Sequence, residues 1–197
     1  MNDCVLIGAG GYAVSLLDIL NEQSIQILGY VANAKSNSLD FKKIEDLDSV
    51  MTINQSVSLI NAIGISGGVN VRARVFCELS SQGFKFLNLI SNFACISPHA
   101  SLADGVHVFP GAVVECDVSL MENVVINVNS SVHHGVSVGK HSFIAPGARL
   151  LGDSKIGEKT LIGSNAIIAP GVHIGNNCKI AAGSFVRFSL ADGERNY

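Results

Sequence analysis

The chain has 197 residues, a net charge of −3 and only 15% charged residues, so it carries no basic stripe for nucleic acid or an anionic membrane. No apolar run approaches the roughly 18 residues of a membrane span, and the start, MNDCVLIGAGGYA, lacks the charged n-region and long apolar core of an export signal, so a cytoplasmic protein with no nucleic-acid or membrane partner is expected. Cys4, Cys77, Cys95, Cys116 and Cys178 are odd in number and show no CxxC spacing, which implies neither a disulfide framework nor a zinc knuckle; each reads as a buried small hydrophobe.

Cys4 to Ile7 predicts a short strand that runs into Gly8-Ala9-Gly10-Gly11-Tyr12-Ala13, and a helical pattern follows through Leu16, Leu17 and Leu20. Strand, glycine loop and helix start form an arrangement in which backbone N–H groups receive phosphate. As a lone GxGxxA it fits a phosphate contact and a bare turn equally. Ile25 to Val31 and Ser56 to Ile63 predict further strands, and Val71 to Ser81 a helix leading into Phe84 to Ile90. Such alternation implies a small parallel α/β domain over residues 1–89. A dinucleotide site needs an acidic residue at the end of the second strand. The chain has Ala32-Asn33 there, which argues against NAD. Ala34 to Asp48 reads as a polar surface loop.

From Ile90 onward the text changes. Every sixth residue is a branched aliphatic, from Ile90, Ile96 and Leu102 through to Ile180 and Val186, seventeen in one phase. At 48% apolar content chance gives that run about four times in a million, so the repeat is structural. A period of six matches neither a helix nor simple alternation, and requires a short strand plus a turn, repeated as a β-helix. Four places after each aliphatic stand small residues such as Ala94, Ala112, Ala148 and Ala166, a second inward position. Three places after it come Gly, Asn or Asp, including Gly111, Asp117, Asn129, Gly135 and Asp153, which tolerate the positive φ of a sharp corner. Pro98, Pro110, Pro146 and Pro170 stand just before that corner, where a fixed φ presets the turn. The β-helix is expected over 90–191, with a tail of 192–197. Eighteen residues per coil would stack residue i under i+18 at about 4.8 Å.

The glycine loop, Ala62-Ile63-Gly64 before a basic helix with Arg72 and Arg74, Gly83-Phe84-Lys85-Phe86, Ile126-Asn127 through Gly139, and Ile144-Ala145-Pro146-Gly147-Ala148 together resemble the sialic acid O-acetyltransferases and their nucleotide-sugar N-acetyltransferase relatives, across essentially the whole chain. The resemblance implies a Rossmann-like N-terminal domain followed by a left-handed parallel β-helix with three hexads per triangular coil. It implies a nucleotide-linked (UDP-, GDP- or dTDP-) 4-amino sugar held at Gly8, Gly10, Gly11, Tyr12, Asn33 and Gly64. Acetyl-CoA would lie along a groove between subunits of a homotrimer, against Phe143, Gly152, Ser164 and Ala182, with no metal. By the same resemblance His134 is the general base, Asn127 stands near the acceptor group, and Gly152, eighteen residues beyond His134, offers its N–H to the thioester oxygen.

Several positions depart from the family's pattern. An acidic residue follows the family's base, whereas this chain reads His133-His134-Gly135. Asp117, one coil below Gly135, or an acid of the adjacent subunit, is expected to orient His134. Tyr12 replaces a histidine, Ala32-Asn33 replaces an acidic pair, and both leave the base of the nucleotide open. Phe143 takes the place of a histidine nine residues past the base, with His141 two places earlier. His99, His107, His133, His141 and His173 read as structural or solvated residues. Lys155, Lys179 and Arg187 solvate a face or meet CoA phosphates, and Phe185 and Phe188 cap the open coil.

N-acetylation leads, because a hydroxyl acceptor demands a stronger base than a histidine without its acid supplies. O-acetylation of a sugar hydroxyl and a catalytically silent trimer remain as alternatives. A zinc hydratase of the γ-carbonic anhydrase type, which also uses hexads, needs histidines from stacked coils. No two histidines here are eighteen or thirty-six apart, so it is set aside.

Overall fold

The computed structural model describes residues 3–33, 38–44 and 57–196. The chain divides into two compact units, Met1–Leu89 and Ile90–Tyr197.

In the first unit, β1 (Asp3–Ile7), β2 (Gln26–Val31) and β3 (Ser58–Asn61) form a parallel sheet in the order β2-β1-β3. Phe86 continues the pairing beyond β3 through a parallel bridge to Leu59. The central strand is buried from Cys4 to Ile7, which is why it reads as an unbroken apolar run rather than an alternation. Helix α1 (Gly11–Ser15) and α2 (Leu17–Glu22) follow β1, and α3 (Val69–Ser81) follows β3. Helix α3 begins two residues before the expected Val71, because Gly68, at φ +83°, turns the chain into it. Val5, Leu59, Phe76 and Phe86 share a core in which the rings of Phe76 and Phe86 stack at 4.3 Å. Ser56 and much of the expected 34–48 loop lie outside the described residues. Within that loop Lys43 bridges Tyr30, and Ile44 is buried.

The second unit is a parallel β-solenoid of two-residue strands, each of which is the hexad aliphatic and the residue before it. The strands collect into three parallel faces. Leu89–Ile90 opens the first face, Cys95–Ile96 the second and Ser101–Leu102 the third. Register follows the eighteen-residue rule: Val125 pairs with His107 and Phe143, Ser131 with Val113 and Arg149, Ser137 with Ser119 and Lys155. The aliphatics point inward and form one continuous core with the fourth-place residues Ala112, Val124, Val136, Ala148 and Ala166. Each such side chain is worth about 1.5–3 kcal/mol in removal from water.

Every third-place corner from Gly105 to Gly183 has positive φ. Glycine, asparagine and aspartate fill these corners except at His141 and Lys159, so the compositional signal reported the backbone. Polar fourth-place residues such as Ser142 and Thr160 are satisfied internally, whereas the buried Ser154 hydroxyl makes no hydrogen bond among the described residues. The Ser142 hydroxyl donates to Gly157 O at 2.6 Å and accepts the Thr160 N–H at 3.0 Å, and the Thr160 hydroxyl repeats the pattern with Gly175 O and the Cys178 N–H.

Two expectations meet a different outcome. Cys4 and Cys178 are buried, but Cys77, Cys95 and Cys116 are exposed: Cys77 is on the solvent face of α3, and Cys95 and Cys116 hold outward and corner positions of a hexad. Phe185 and Phe188 are 58% and 78% exposed and cap nothing; the guanidinium of Arg187 stands 6.0 Å from each ring. The final coil instead shortens to a spacing of sixteen, so that Leu190 bridges Ile174 and the polar strand Arg195–Asn196 covers the edge of Lys179–Ile180. A charged terminal rung discourages further strand addition. Among the described residues no helix is long and apolar enough to cross a membrane, and no group of three His, Cys, Asp or Glu could hold a metal.

Candidate active site

His134 occupies the second place of a corner that joins Ser131–Val132 on the second face to Ser137–Val138 on the third. Stacking puts Pro98, Cys116, Gly152 and Pro170 in the same column. The N–H at this corner place makes no ladder bond, which is why proline is admitted there. Gly152 lies directly against the imidazole. A Cβ built on it would stand 2.5 Å from Cε1 and 2.7 Å from Nε2 of His134, closer than real contacts come, so only glycine fits beneath this ring. Among the described residues the Gly152 N–H donates to no acceptor. The result is an imidazole beside a main-chain donor free to meet an oxyanion.

The carboxylates around the corner are arranged differently from the sequence-based expectation. At three glycine corners the side-chain oxygen of the following coil leans back onto the glycine: Asn129 onto Gly111, Asn165 onto Gly147 and Asp153 onto Gly135. These three third-place side chains thus reach toward the preceding coil. The group at Gly135 comes from Asp153, and Asp117, on the coil below, makes no hydrogen bond or ion pair with His134 among the described residues. A second acid stands close to the histidines. Glu115 Oε2 accepts the backbone N–H of His134 at 2.8 Å, and its Oε1 stands 3.2 Å from His133 Nδ1. The signal for Glu115 was present in the sequence, since residue 115 lies one coil below residue 133. Glu115 and His134 also line a cavity of about 510 Å³ whose other walls include Cys95, Pro98, Val113 and Cys116.

In the N-terminal unit the glycine loop follows β1. Gly8 has φ +114°, and a Cβ there would strike Ala62 O at 2.8 Å. Around Gly10 and Gly11 a Cβ would meet nothing within 4 Å, so their backbone is open. Gly64 is required by close approach, since its Cβ would stand 2.8 Å from Tyr12 Cβ. Arg72 lies 5.5 Å from the Tyr12 ring centroid, fully buried, and donates from Nη1 to the carbonyls of Asn61 and Ile63, tying α3 to the end of β3. Burial pushes the Tyr12 phenol up to about 12, partly offset by the Arg72 charge, and pulls the Arg72 guanidinium down. A cavity of about 640 Å³ opens past the carboxyl ends of the strands, lined by Ile7, Gly8, Val31, Asn33, Ile63 and Arg74 among others. Gly8 and Asn33 thus share it; Gly10, Gly11, Tyr12 and Gly64 stand outside its lining.

The model of the bacterial transferase hexapeptide family (six repeats) matches residues 117–152 and 153–187, the coils that carry His134 and Gly152. Residues 117–187 thus carry hexapeptide repeats of the transferase type. The perosamine N-acetyltransferase of Caulobacter crescentus, solved with CoA and GDP-perosamine, is similar at 28% identity and a TM-score of 0.89, over 98% of this chain and 91% of that one. The fold is shared by the acetyltransferase domain of PglB from Neisseria gonorrhoeae, solved with acetyl coenzyme A, at 24% identity and a TM-score of 0.90 over 99% and 96% of the two chains. WeeI of Acinetobacter baumannii matches at 19% identity and a TM-score of 0.86 over 99% and 96%.

The solenoid distributes its remaining candidate residues over more than one edge of the coil. Asn127, Ser164 and Ala182 stand on corners that join the first face to the second, a different edge from that of His134 and Gly152. Asn127 spends its side-chain oxygen on the Val128 N–H at 2.7 Å. Phe143 is only 3% exposed on the first face. His141 is buried in contact with Asn123, Nδ1 to Nδ2 at 3.0 Å, a structural corner.

Proposed function

We propose that this transferase moves the acetyl group of acetyl-CoA to the amine of a nucleotide-linked 4-amino-deoxysugar, with His134 as general base. The observation that carries the proposal is the imidazole of His134 packed on Gly152, whose N–H is unclaimed. The amine nitrogen attacks the thioester carbonyl, His134 takes the proton the nitrogen sheds, and the Gly152 N–H stabilises the oxygen as it gains charge. The C–N bond forms, the C–S bond breaks, and CoA leaves as the thiol with the proton returned. Support for the substrate class comes from the similar Caulobacter enzyme, whose structure holds CoA and GDP-perosamine. The open glycine loop and the cavity past the strand ends suit the nucleotide portion.

The same proposal takes the N-terminal unit as Rossmann-like, the coil as left-handed and the working form as a cytoplasmic homotrimer. In a trimer the edge of Asn127, Ser164 and Ala182 on one protomer would face the edge of His134 and Gly152 on its neighbour, which gives those residues a place in one groove.

The test is thiol release from acetyl-CoA with UDP-, GDP- and dTDP-linked 4-amino sugars, alongside free sialic acid as a hydroxyl acceptor. Turnover with an amino-sugar nucleotide, reduced about 10²–10⁴-fold in His134→Ala, is expected. Turnover of the hydroxyl acceptor alone, or an undiminished rate in His134→Ala, would overturn the proposal.

A further inference from the structure

Glu115 has no counterpart elsewhere in the coil. The equivalent first corner places on the second face are Ser97, His133, Leu151, Ala169 and Arg187, none of them acidic. In the column of His134 itself, Pro98 and Pro170 have no N–H, and among the described residues those of Cys116 and Gly152 donate to nothing. His134 is the member of that column whose N–H a side chain takes, with Glu115 Oε2 at 2.8 Å. The other oxygen stands 3.2 Å from Nδ1 of His133, so one carboxylate grips two consecutive histidines from the coil below. It does so beside a mostly apolar cavity that His134 also lines, and a carboxylate makes both contacts charge-assisted.

Asp153 needs no such role. Its oxygen does at Gly135 what the amide oxygens of Asn129 and Asn165 do at Gly111 and Gly147, two corners without a candidate base.

We infer that Glu115 is a positioning residue for His134, a carboxylate clamp supplied from the preceding coil in a chain whose residue after the base is glycine. The inference rests on His134 being the base. By holding the corner N–H, Glu115 fixes the backbone from which the imidazole reaches Gly152. Paired to His133, it keeps that neighbour turned from the groove and leaves a negative charge near an imidazole that becomes cationic as it takes its proton.

The experiment uses the full chain with Glu115→Ala, Glu115→Gln and Asp153→Asn, and two readouts. Amide spectra of 15N-labelled protein report the His134 N–H, and steady-state assays separate kcat from the KM for acetyl-CoA. In Glu115→Ala the His134 amide proton is expected to move upfield and kcat to fall about tenfold with KM unchanged. Glu115→Gln, which keeps an oxygen for the N–H and loses the charge, is expected to fall between. Asp153→Asn is expected to leave kcat unchanged. A kcat within twofold of the parent in Glu115→Ala, or a His134 amide unmoved by that change, would overturn the clamp. A parent protein that releases no thiol with any amino sugar, while its His134 amide responds to Glu115→Ala, would overturn the proposed function and leave the clamp in place.

Discussion

At the scale of single residues, Gly152 is held by a side chain rather than by backbone, because its φ is ordinary and the three atoms nearest a Cβ there all belong to the imidazole of His134. Gly152→Ala is therefore expected to fold normally and push the ring aside. A displacement of about 1 Å at a reacting group costs on the order of 10² in rate, so kcat should fall by about that factor while the thermal midpoint stays put. Calorimetry together with the thiol-release assay checks both halves. Gly135 is a different kind of glycine, bound by its own φ of +70° as well as by the Asp153 oxygen; alanine there is expected to lower stability before it lowers rate.

At the scale of the element, each rung has one inward aliphatic and one inward small residue, so a core truncation has nowhere to relax. Ile144 is fully buried between the rungs of Ile126 and Ile162. Ile144→Ala is expected to cost about 2–5 kcal/mol, measurable in urea unfolding.

In the N-terminal unit the glycine loop carries Tyr12 onto Arg72. Its phenol ionises near pH 10 when unfolded, and burial raises it to about 12 in the folded state. A raised value means the folded state favours the neutral form, so this contribution is complete below pH 10 and is lost as pH climbs toward 12. Chemical unfolding from pH 9 to 12 should show a decline that is shallower in Tyr12→Phe, which has no proton to lose.

At the scale of the whole molecule, the solenoid places its candidate groups on two edges, with His134 and Gly152 on one and Asn127, Ser164 and Ala182 on the other. If both edges serve one groove, the active form must contain more than one protomer. Light scattering coupled to size exclusion is expected to give three times the 20.7 kDa chain mass. A fully active monomer would remove Asn127, Ser164 and Ala182 from the site.

The period of six was readable in the sequence because a two-residue strand and a positive-φ corner each restrict composition at fixed places; three hexads per coil, and with them His134 over Gly152, came from the family resemblance. The N-terminal strands and α3 were readable for a similar reason, since buried parallel strands and glycine-led turns write themselves into short apolar runs. Which way a corner side chain leans between coils leaves no such mark. Asp117 and Asp153 are equivalent by count, and only the packed coil shows that Asp153 reaches backward to Gly135 while Glu115 reaches forward to the two histidines. The shortened last coil was hidden too, because Leu190 replaces a missing hexad aliphatic only when the chain is allowed to skip two residues. Local backbone preference is a property of one residue and its neighbours, and the sequence alone determined it; contact between residues eighteen or nineteen apart depends on side-chain directions that three-dimensional packing decides.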